Sequence, residues 1–200
     1  LASGQRRVVA NFKGSNSAPT WAPDGRSLVA TLSRDGGSQL YRVDLTGAEP
    51  RRLTQGSINT EPVFSADGTA LYFVSDRGGS PQIYRMPAQG GPAERVTFAG
   101  SYNISPALSP DGRWLAYVSR VGGGYRLQLM ELATNKVTEL TDTSADERPS
   151  FAPNSRMLVY ATVFQGRESL MTTTLDGRIK ARLAGQGGDI REPHWGPVRK

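Results

Sequence analysis

Four oxygen-bearing side chains recur at nearly constant spacing, and they are the residues best suited to chemistry. Asn16, Asn59, Asn103 and Asp146 each lie three residues before a proline. Calcium accepts amide and carboxylate oxygens, so a ring of such groups predicts a calcium site or a polar docking surface. A structural interpretation competes with both, because Asn and Asp where a loop enters a strand commonly hydrogen bond to their own backbone. The residues alone leave these interpretations open.

The residue types favour few other kinds of catalysis. Glycoside hydrolysis needs paired carboxylates, whereas three of the four repeated residues are amides. The chain has no cysteine and a single histidine, His194, which excludes disulfides, thiolate metal sites and multi-histidine metal centres. The 200 residues contain no Gly-x-Ser-x-Gly nucleophile motif. We therefore expect a chain without enzyme activity.

The prolines that follow these residues mark an internal repeat. They stand at positions 19, 62, 106, 149 and 193, with steps of 43, 44, 43 and 44 residues. A tight turn follows, as in Pro23-Asp24-Gly25, because proline presets φ, aspartate bonds to local backbone and glycine accepts a positive φ. Next comes a nearly continuous apolar run such as 70–74, which is typical of a strand covered on both faces.

A four-stranded unit of about 40–45 residues repeated around an axis indicates a β-propeller. We therefore expect an all-β fold of four-stranded antiparallel blades. Complete blades are expected at about 16–58, 59–102, 103–145 and 146–189. Residues 1–10 match only the outer strand of a preceding blade, and residues 190–197 match only the inner strand of a closing blade. We interpret the sequence as a piece of a longer protein, whose open sheet edges would allow self-association.

The charge pattern argues against a nucleic-acid partner. The net charge is +6, but the basic residues are distributed over the outermost strands instead of forming the continuous track that nucleic acids need. Six acidic and two basic residues lie on the loops that precede the inner strands, which favours a polypeptide partner with polar or basic contacts. No apolar run approaches the roughly 18–20 residues of a membrane span. The basic residues of the outer strands are Arg6, Arg7, Arg51, Arg52, Arg95, Lys136, Lys180 and Arg182.

The sequence resembles the TolB family of periplasmic proteins over its whole length. Three stretches carry the resemblance: ASGQRRVVA at 2–10, LYFVSDRGG at 71–79 with QIY at 82–84, and DGRIKARL at 176–183 followed by WGP at 195–197. The resemblance implies a six-bladed propeller preceded by an α/β domain that these residues lack. It also implies a periplasmic component of the Tol–Pal envelope system, which supports outer-membrane integrity and cell division.

The resemblance further implies partners and contact residues. Members of the family bind the peptidoglycan-associated lipoprotein Pal through the propeller and TolA through an N-terminal region, and some colicins exploit them. The family's loop pattern matches Asn16, Ala18, Asn59, Thr60 and Glu61. Rotational repetition adds Asn103, Asp146 and Glu147 to this expected partner-binding set.

Two other functions are compatible with a propeller. A calcium-dependent hydrolase of the lactonase kind would use the repeated amide and carboxylate oxygens, and calcium is the one cofactor that we consider. An accessory propeller of a serine peptidase would share the proline-aspartate-glycine turns but would depend on a separate catalytic domain.

Overall fold

The computed structural model describes residues 8–183 and 191–196, and this part of the chain is all β. It contains sixteen strands in four antiparallel sheets, and the strands of each sheet follow chain order. The first blade comprises β1 (Asn16–Trp21), β2 (Ser27–Leu32), β3 (Gln39–Asp44) and β4 (Arg51–Arg52). The second comprises β5 (Asn59–Phe64), β6 (Ala70–Ser75), β7 (Gln82–Pro87) and β8 (Glu94–Arg95). The third comprises β9 (Asn103–Leu108), β10 (Trp114–Val121), β11 (Gly124–Glu131) and β12 (Lys136–Glu139). The fourth comprises β13 (Glu147–Phe151), β14 (Met157–Phe164), β15 (Arg167–Thr174) and β16 (Lys180–Arg182).

The second strand of each blade is the apolar run of the repeat, and it lies inside the blade. Every residue of β2 and β6 is buried. Both faces of such a strand are covered, β6 by the first and third blades and β2 by the second blade and by Val9 and Phe12. This explains why its sequence does not alternate between apolar and polar residues. The turn before β6 needs glycine at position 68, because φ is +71° and a Cβ there would lie 3.1 Å from Pro23 of the preceding blade.

Hydrophobic clusters fill the junctions between successive blades. Val29 and Leu40 of the first blade pack with Leu71 and Phe73 of the second. The second junction, between the second and third blades, joins Tyr72 and Ile83 to Leu115, Tyr117 and Met130. The third junction joins Ala116, Leu127 and Leu129 to Phe151, Leu158 and Tyr160. Each blade therefore shares its core with its neighbours along the chain.

The blades surround a common channel, which confirms the propeller fold. The inner strands β1, β5, β9 and β13 lie side by side in that order. All five repeated prolines line one cavity of about 760 Å³, and they are Pro19, Pro62, Pro106, Pro149 and Pro193. Scattered prolines would have contradicted the fold inferred from the repeat. A total of six blades remains a prediction.

The segments at the two ends differ from the expected single strands. Residues 8–10 and 191–196 form no regular strand, and the rest of the segments expected at 1–10 and 190–197 lies outside the described residues. A lone segment cannot form a hydrogen-bonded ladder, and the described residues supply no second strand of the same blade beside it. Segment 191–196 is nevertheless anchored, since the backbone N–H of Trp195 donates to Ser150 Oγ at 3.1 Å.

Six of the eight basic residues expected on outermost strands are found there, and the other two, Arg6 and Arg7, lie outside the described residues. The six are Arg51 and Arg52 on β4, Arg95 on β8, Lys136 on β12, and Lys180 and Arg182 on β16. The positive charge is thus distributed around the circumference. Among residues 8–183 and 191–196, no helix is long and apolar enough to cross a membrane.

Two buried tyrosines make the blade junctions sensitive to alkaline pH. Burial raises the pKa of Tyr117 from 10.0 to about 12. Burial, reinforced by the negative charge of Asp146, likewise raises the pKa of Tyr160 to about 12. The folded state therefore holds both phenol protons more tightly than the unfolded chain does. This contribution to stability is complete below pH 10 and is lost as the pH rises through 12.

We predict that the free energy of unfolding falls between about pH 10 and about pH 12, by at most roughly 2.7 kcal/mol for each of the two tyrosines. Urea denaturation followed by circular dichroism across this range measures the fall. The double variant Y117F/Y160F should show a shallower dependence on pH, because both titrating groups are removed. An unchanged dependence in the double variant would contradict the assignment.

Candidate functional site: the mouth of the central channel

The residue before each repeated proline has an unusual backbone conformation. The φ angles are +45° at Ala18, +53° at Glu61, +53° at Ser105, +47° at Arg148 and +50° at Glu192. A left-handed φ is uncommon outside glycine and costs about 1–2 kcal/mol per residue. Five equivalent outliers in five repeats are a built feature of the inner strands. Strained backbone of this kind concentrates at functional sites.

In the four complete blades, this conformation coincides with an irregularity in the pairing of the inner strand with its neighbour. The register of β5 against β6 shifts between Thr60 and Val63, and β1, β9 and β13 shift at the equivalent place. Proline suits the shift, because it has no N–H to leave unpaired. All five left-handed residues line the channel. We call them the mouth ring, which consists of Ala18, Glu61, Ser105, Arg148 and Glu192.

Charged groups of the mouth ring bond to one another across blades. Arg148 Nη2 lies 3.3 Å from Glu61 Oε1 and 3.5 Å from Glu192 Oε1. Glu61 Oε2 also accepts a hydrogen bond of 2.7 Å from the backbone N–H of Ser105. The Glu61 side chain is 16% exposed and that of Glu192 is 71% exposed. Glu61 therefore ties the ring together, whereas Glu192 presents its carboxylate to solvent.

Two of the sequence-predicted residues, Asn59 and Asn103, lie between blades and do not line the channel. Both side chains are buried. Asn59 Nδ2 donates to Gln39 Oε1 of the first blade at 3.0 Å, and Asn103 Nδ2 makes the same bond to Gln82 of the second blade at 2.7 Å. The glutamine oxygens also accept from Thr54 and Thr97, each at 2.8 Å. Burial between the blades keeps these amides off the channel surface, and their part in partner binding remains a prediction.

Asp146 occupies the equivalent place at the third junction and is also buried. Position 126 holds arginine where the first and second blades have glutamine, and Asp146 takes over the role of acceptor. Its carboxylate accepts from the hydroxyls of Thr141, Thr143 and Thr162 and from the backbone N–H of Leu127 at 3.2 Å. A carboxylate with this many donors is held inside the junction, away from the channel.

The other predicted residues lie nearer the mouth. Ala18 and Glu61 belong to the mouth ring. Thr60 is half-buried, with its hydroxyl 3.3 Å from that of Thr31. Asn16 is exposed and bonds its own loop, since Nδ2 donates to the carbonyl of Phe12 at 2.7 Å. Glu147 is exposed at the start of β13. Whether any of them contacts a partner remains a prediction.

Sequence reasoning missed three members of the mouth ring: Ser105, Arg148 and Glu192. A signal was available, because each directly precedes a repeated proline, as Ala18 and Glu61 do. The side chains at this position differ from blade to blade, so only the positional equivalence could have identified them. Within the described residues, no group of three or more acidic or histidine side chains lies close enough together to hold a metal ion.

Comparison with known proteins agrees with this architecture. The family model of the TolB beta propeller domain matches residues 1–199. The chain belongs to this family. The Tol-Pal system protein TolB of Bordetella avium is 54% identical over 202 aligned residues, which cover 100% of this chain and 46% of that protein. TolB of Polaromonas naphthalenivorans is 75% identical over 64 residues, which cover 32% of this chain and 15% of that protein.

Solved structures show the same relationship. The crystal structure of TolB from Acinetobacter baumannii superposes with a TM-score of 0.92 at 43% identity, covering 99% of this chain and 50% of that chain. A mycobacterial puromycin-hydrolyzing peptidase shares the fold alone, with a TM-score of 0.69 at 19% identity, covering 92% of this chain and 31% of that chain. This TolB propeller chain spans no more than about half the length of the TolB proteins described here.

The buried amides lead to a stability prediction. Asn59→Ala should lower the free energy of unfolding by about 1–3 kcal/mol, because Arg77 Nη2 loses its 2.8 Å bond to Asn59 Oδ1 inside the junction. Asn16→Ala is the matched control at an exposed position and should cost less than about 1 kcal/mol. Urea denaturation of both variants measures the difference. Equal losses would show that burial between blades does not distinguish Asn59.

Proposed function

We propose that this TolB propeller is a protein-binding module of the Tol–Pal system and that its channel mouth binds the lipoprotein Pal. The observation that carries the proposal is the mouth ring, in which five left-handed residues present different side chains around one opening. Such a ring combines a rigid backbone with variable chemistry, as recognition of a specific partner requires. Relatives called Tol-Pal system protein TolB support the choice of system.

The chemistry of the mouth suits a polypeptide of mixed polarity. Glu192 is exposed, and the Arg148 side chain retains 36% exposure beside it. Exposed apolar side chains lie at the same end of the blades, because the turns after β10 and β14 adjoin the start of the inner strands. They are Ile58 at 54%, Tyr125 at 38% and Val163 at 45% exposure. An interface of this kind combines apolar contacts with charged pairs that fix orientation.

The proposal involves binding without a chemical reaction. Its setting is the periplasm, where Pal binding would contribute to outer-membrane integrity and cell division. TolA would bind a region of the protein outside these residues, and colicins would be further ligands. The expected contacts near the mouth are Asn16, Ala18, Thr60, Glu61 and Glu147, to which the structure adds Ser105, Arg148 and Glu192 as candidates.

Charge reversal at Arg148 tests the proposal. Arg148→Glu places a third carboxylate beside Glu61 and Glu192 and removes the cation that bridges them. We predict at least a roughly tenfold loss of affinity for the Pal periplasmic domain, because an unpaired charge at the centre of an interface is costly. Isothermal titration calorimetry on the protein at its natural length measures the affinity, and thermal melting checks that the variant folds.

Arg156→Glu is the matched control, because Arg156 is exposed in the turn between β13 and β14 at the opposite end of the blade. It should leave Pal affinity unchanged. The proposal fails if the unmodified protein shows no binding heat with Pal at micromolar concentration, or if both reversals weaken binding equally. Saturable calcium binding accompanied by lactone hydrolysis would instead favour the hydrolase alternative.

A further inference from the structure

A second large cavity lies away from the channel, between the second and third blades. We call it the junction groove. Its volume is about 860 Å³, which falls in the range of small-molecule sites. Apolar side chains, among them Val96, Leu108, Met130 and Val137, line part of it. Tyr72, Tyr117, Arg85, Arg95 and Phe98 supply its polar and aromatic groups.

The repeat provides internal comparisons for this groove. At each junction, one residue from the second strand of each blade faces the other blade, and these facing positions are equivalent from junction to junction. The second junction has a tyrosine on both sides, which the first and third do not. The facing residues are Val29 and Phe73 at the first junction, Tyr72 and Tyr117 at the second, and Ala116 and Tyr160 at the third.

The tyrosines contribute hydrogen-bond donors to the groove. Tyr117 is 2% exposed, and its hydroxyl has no hydrogen-bond partner among the described residues. Tyr72 pairs directly with Arg85 across β6 and β7. Burial raises the pKa of Tyr72 against the opposing effect of the Arg85 guanidinium, so both phenols are protonated at neutral pH. Tyr117 lines the groove, so its hydroxyl can donate to an acceptor atom of a bound ligand.

Arg85 lacks the cross-blade hydrogen-bond acceptor that its equivalent in the first blade has. At the first junction, the equivalent Arg42 donates to Gln89 Oε1 of the next blade at 3.2 Å. Ala133 holds the position of Gln89 in the third blade, as the equivalent bonds of Ala88 and Leu132 to the preceding turn show. An alanine side chain cannot accept a hydrogen bond. The second junction therefore lacks the contact that occupies the arginine at the first.

The two acidic residues that line the groove, Asp67 and Asp111, bond within their own turns. Asp67 accepts from Ser65 Oγ at 2.6 Å and from the backbone N–H of Thr69 at 3.0 Å. Those hydrogen bonds, that from Ser65 foremost, lower the pKa of Asp67 to about 2. Asp111 accepts in the same way within its own turn. Both carboxylates thus accept hydrogen bonds within their own turns, and in the described part of the chain neither lies within 4 Å of a nitrogen of Arg85 or Arg95.

An exposed aromatic ring completes the site. Phe98 is 74% exposed, and the Arg95 guanidinium lies 5.3 Å from the centre of its ring. The equivalent positions in the first and third blades hold Gln55 and Asp142, which directly follow Thr54 and Thr141 as Phe98 follows Thr97. Phe98 is therefore particular to this groove, and its ring offers a face for stacking.

We propose that the junction groove binds a small aromatic carboxylate. The carboxylate accepts from Arg85 and from the Tyr117 hydroxyl, while the ring contacts Phe98 and the apolar lining. This assignment is independent of Pal binding, because it uses no residue of the mouth ring.

A titration with 3-phenylpropionate tests the proposal on the protein at its natural length. Two-dimensional ¹H–¹⁵N NMR should show saturable shifts at groove residues, with a dissociation constant of about the millimolar order expected for a ligand of this size. The neutral analogue 3-phenylpropanol should bind at least about fivefold more weakly, because it lacks the charge that Arg85 attracts.

Three variants locate the site. Tyr117→Phe keeps the ring but loses a neutral hydrogen-bond donor, so it should weaken binding about threefold or more. Arg85→Gln loses a charged donor, so it should weaken binding about tenfold. Tyr160→Phe, which removes the equivalent hydroxyl at the third junction, is the control and should bind as the unmodified protein does. Thermal melting verifies the fold of each variant.

Three results would overturn the assignment: no saturable shift at the groove, equal affinity for the acid and the alcohol, or equal effects of Tyr117→Phe and Tyr160→Phe. Loss of Pal binding in the Arg148 variant with retained 3-phenylpropionate binding would support two separate sites.

Discussion

The propeller depends on one local constraint, which is a proline preceded by a left-handed residue in every inner strand. The proline lacks an N–H, so the strand can leave its ladder at that point without losing a hydrogen bond. The residue before it then lines the channel, as Glu61 and Arg148 do. The backbone cost of about 1–2 kcal/mol per residue must be offset elsewhere, and the packed junctions between blades provide that stabilisation.

The repeat made the fold predictable, because the five prolines and the apolar second strands both follow local rules. The site was only partly predictable. Alternation along a strand assumes regular pairing, whereas the shift between Thr60 and Val63 changes which residue lines the channel. Asn59 was expected at the channel mouth because the loop that precedes each inner strand repeats around the axis, although its amide bonds to Gln39 between blades. That contact joins two blades, and neither residue type reveals it.

Differences between the repeats carry as much information as their similarity. A glutamine and an asparagine join the blades at the first and second junctions. The third junction has Arg126 and Asp146 at these positions, and threonine hydroxyls donate to the Asp146 carboxylate. The cross-blade contact between Arg42 and Gln89 likewise occurs at the first junction and, within the described residues, not at the second or third. Ala133 replaces the acceptor at the second junction, and Leu129 replaces the arginine at the third. A repeat protein can thus alter one junction while its neighbours keep their packing.

The cross-blade bonds to Gln39 and Gln82 also have a mechanical consequence. Each joins the third strand of one blade to the inner strand of the next, so tension on a blade passes to its neighbour beside the inner strand. The outer strand β4 is only two residues long, yet Arg51 on it donates to the carbonyl of Gln89 in the next blade at 3.0 Å and to the Gln89 side chain at 3.2 Å. Pulling the first blade from the second would therefore break polar contacts both beside the inner strand and at the rim, whereas the polar contacts between the second and third blades lie mainly near the inner strands.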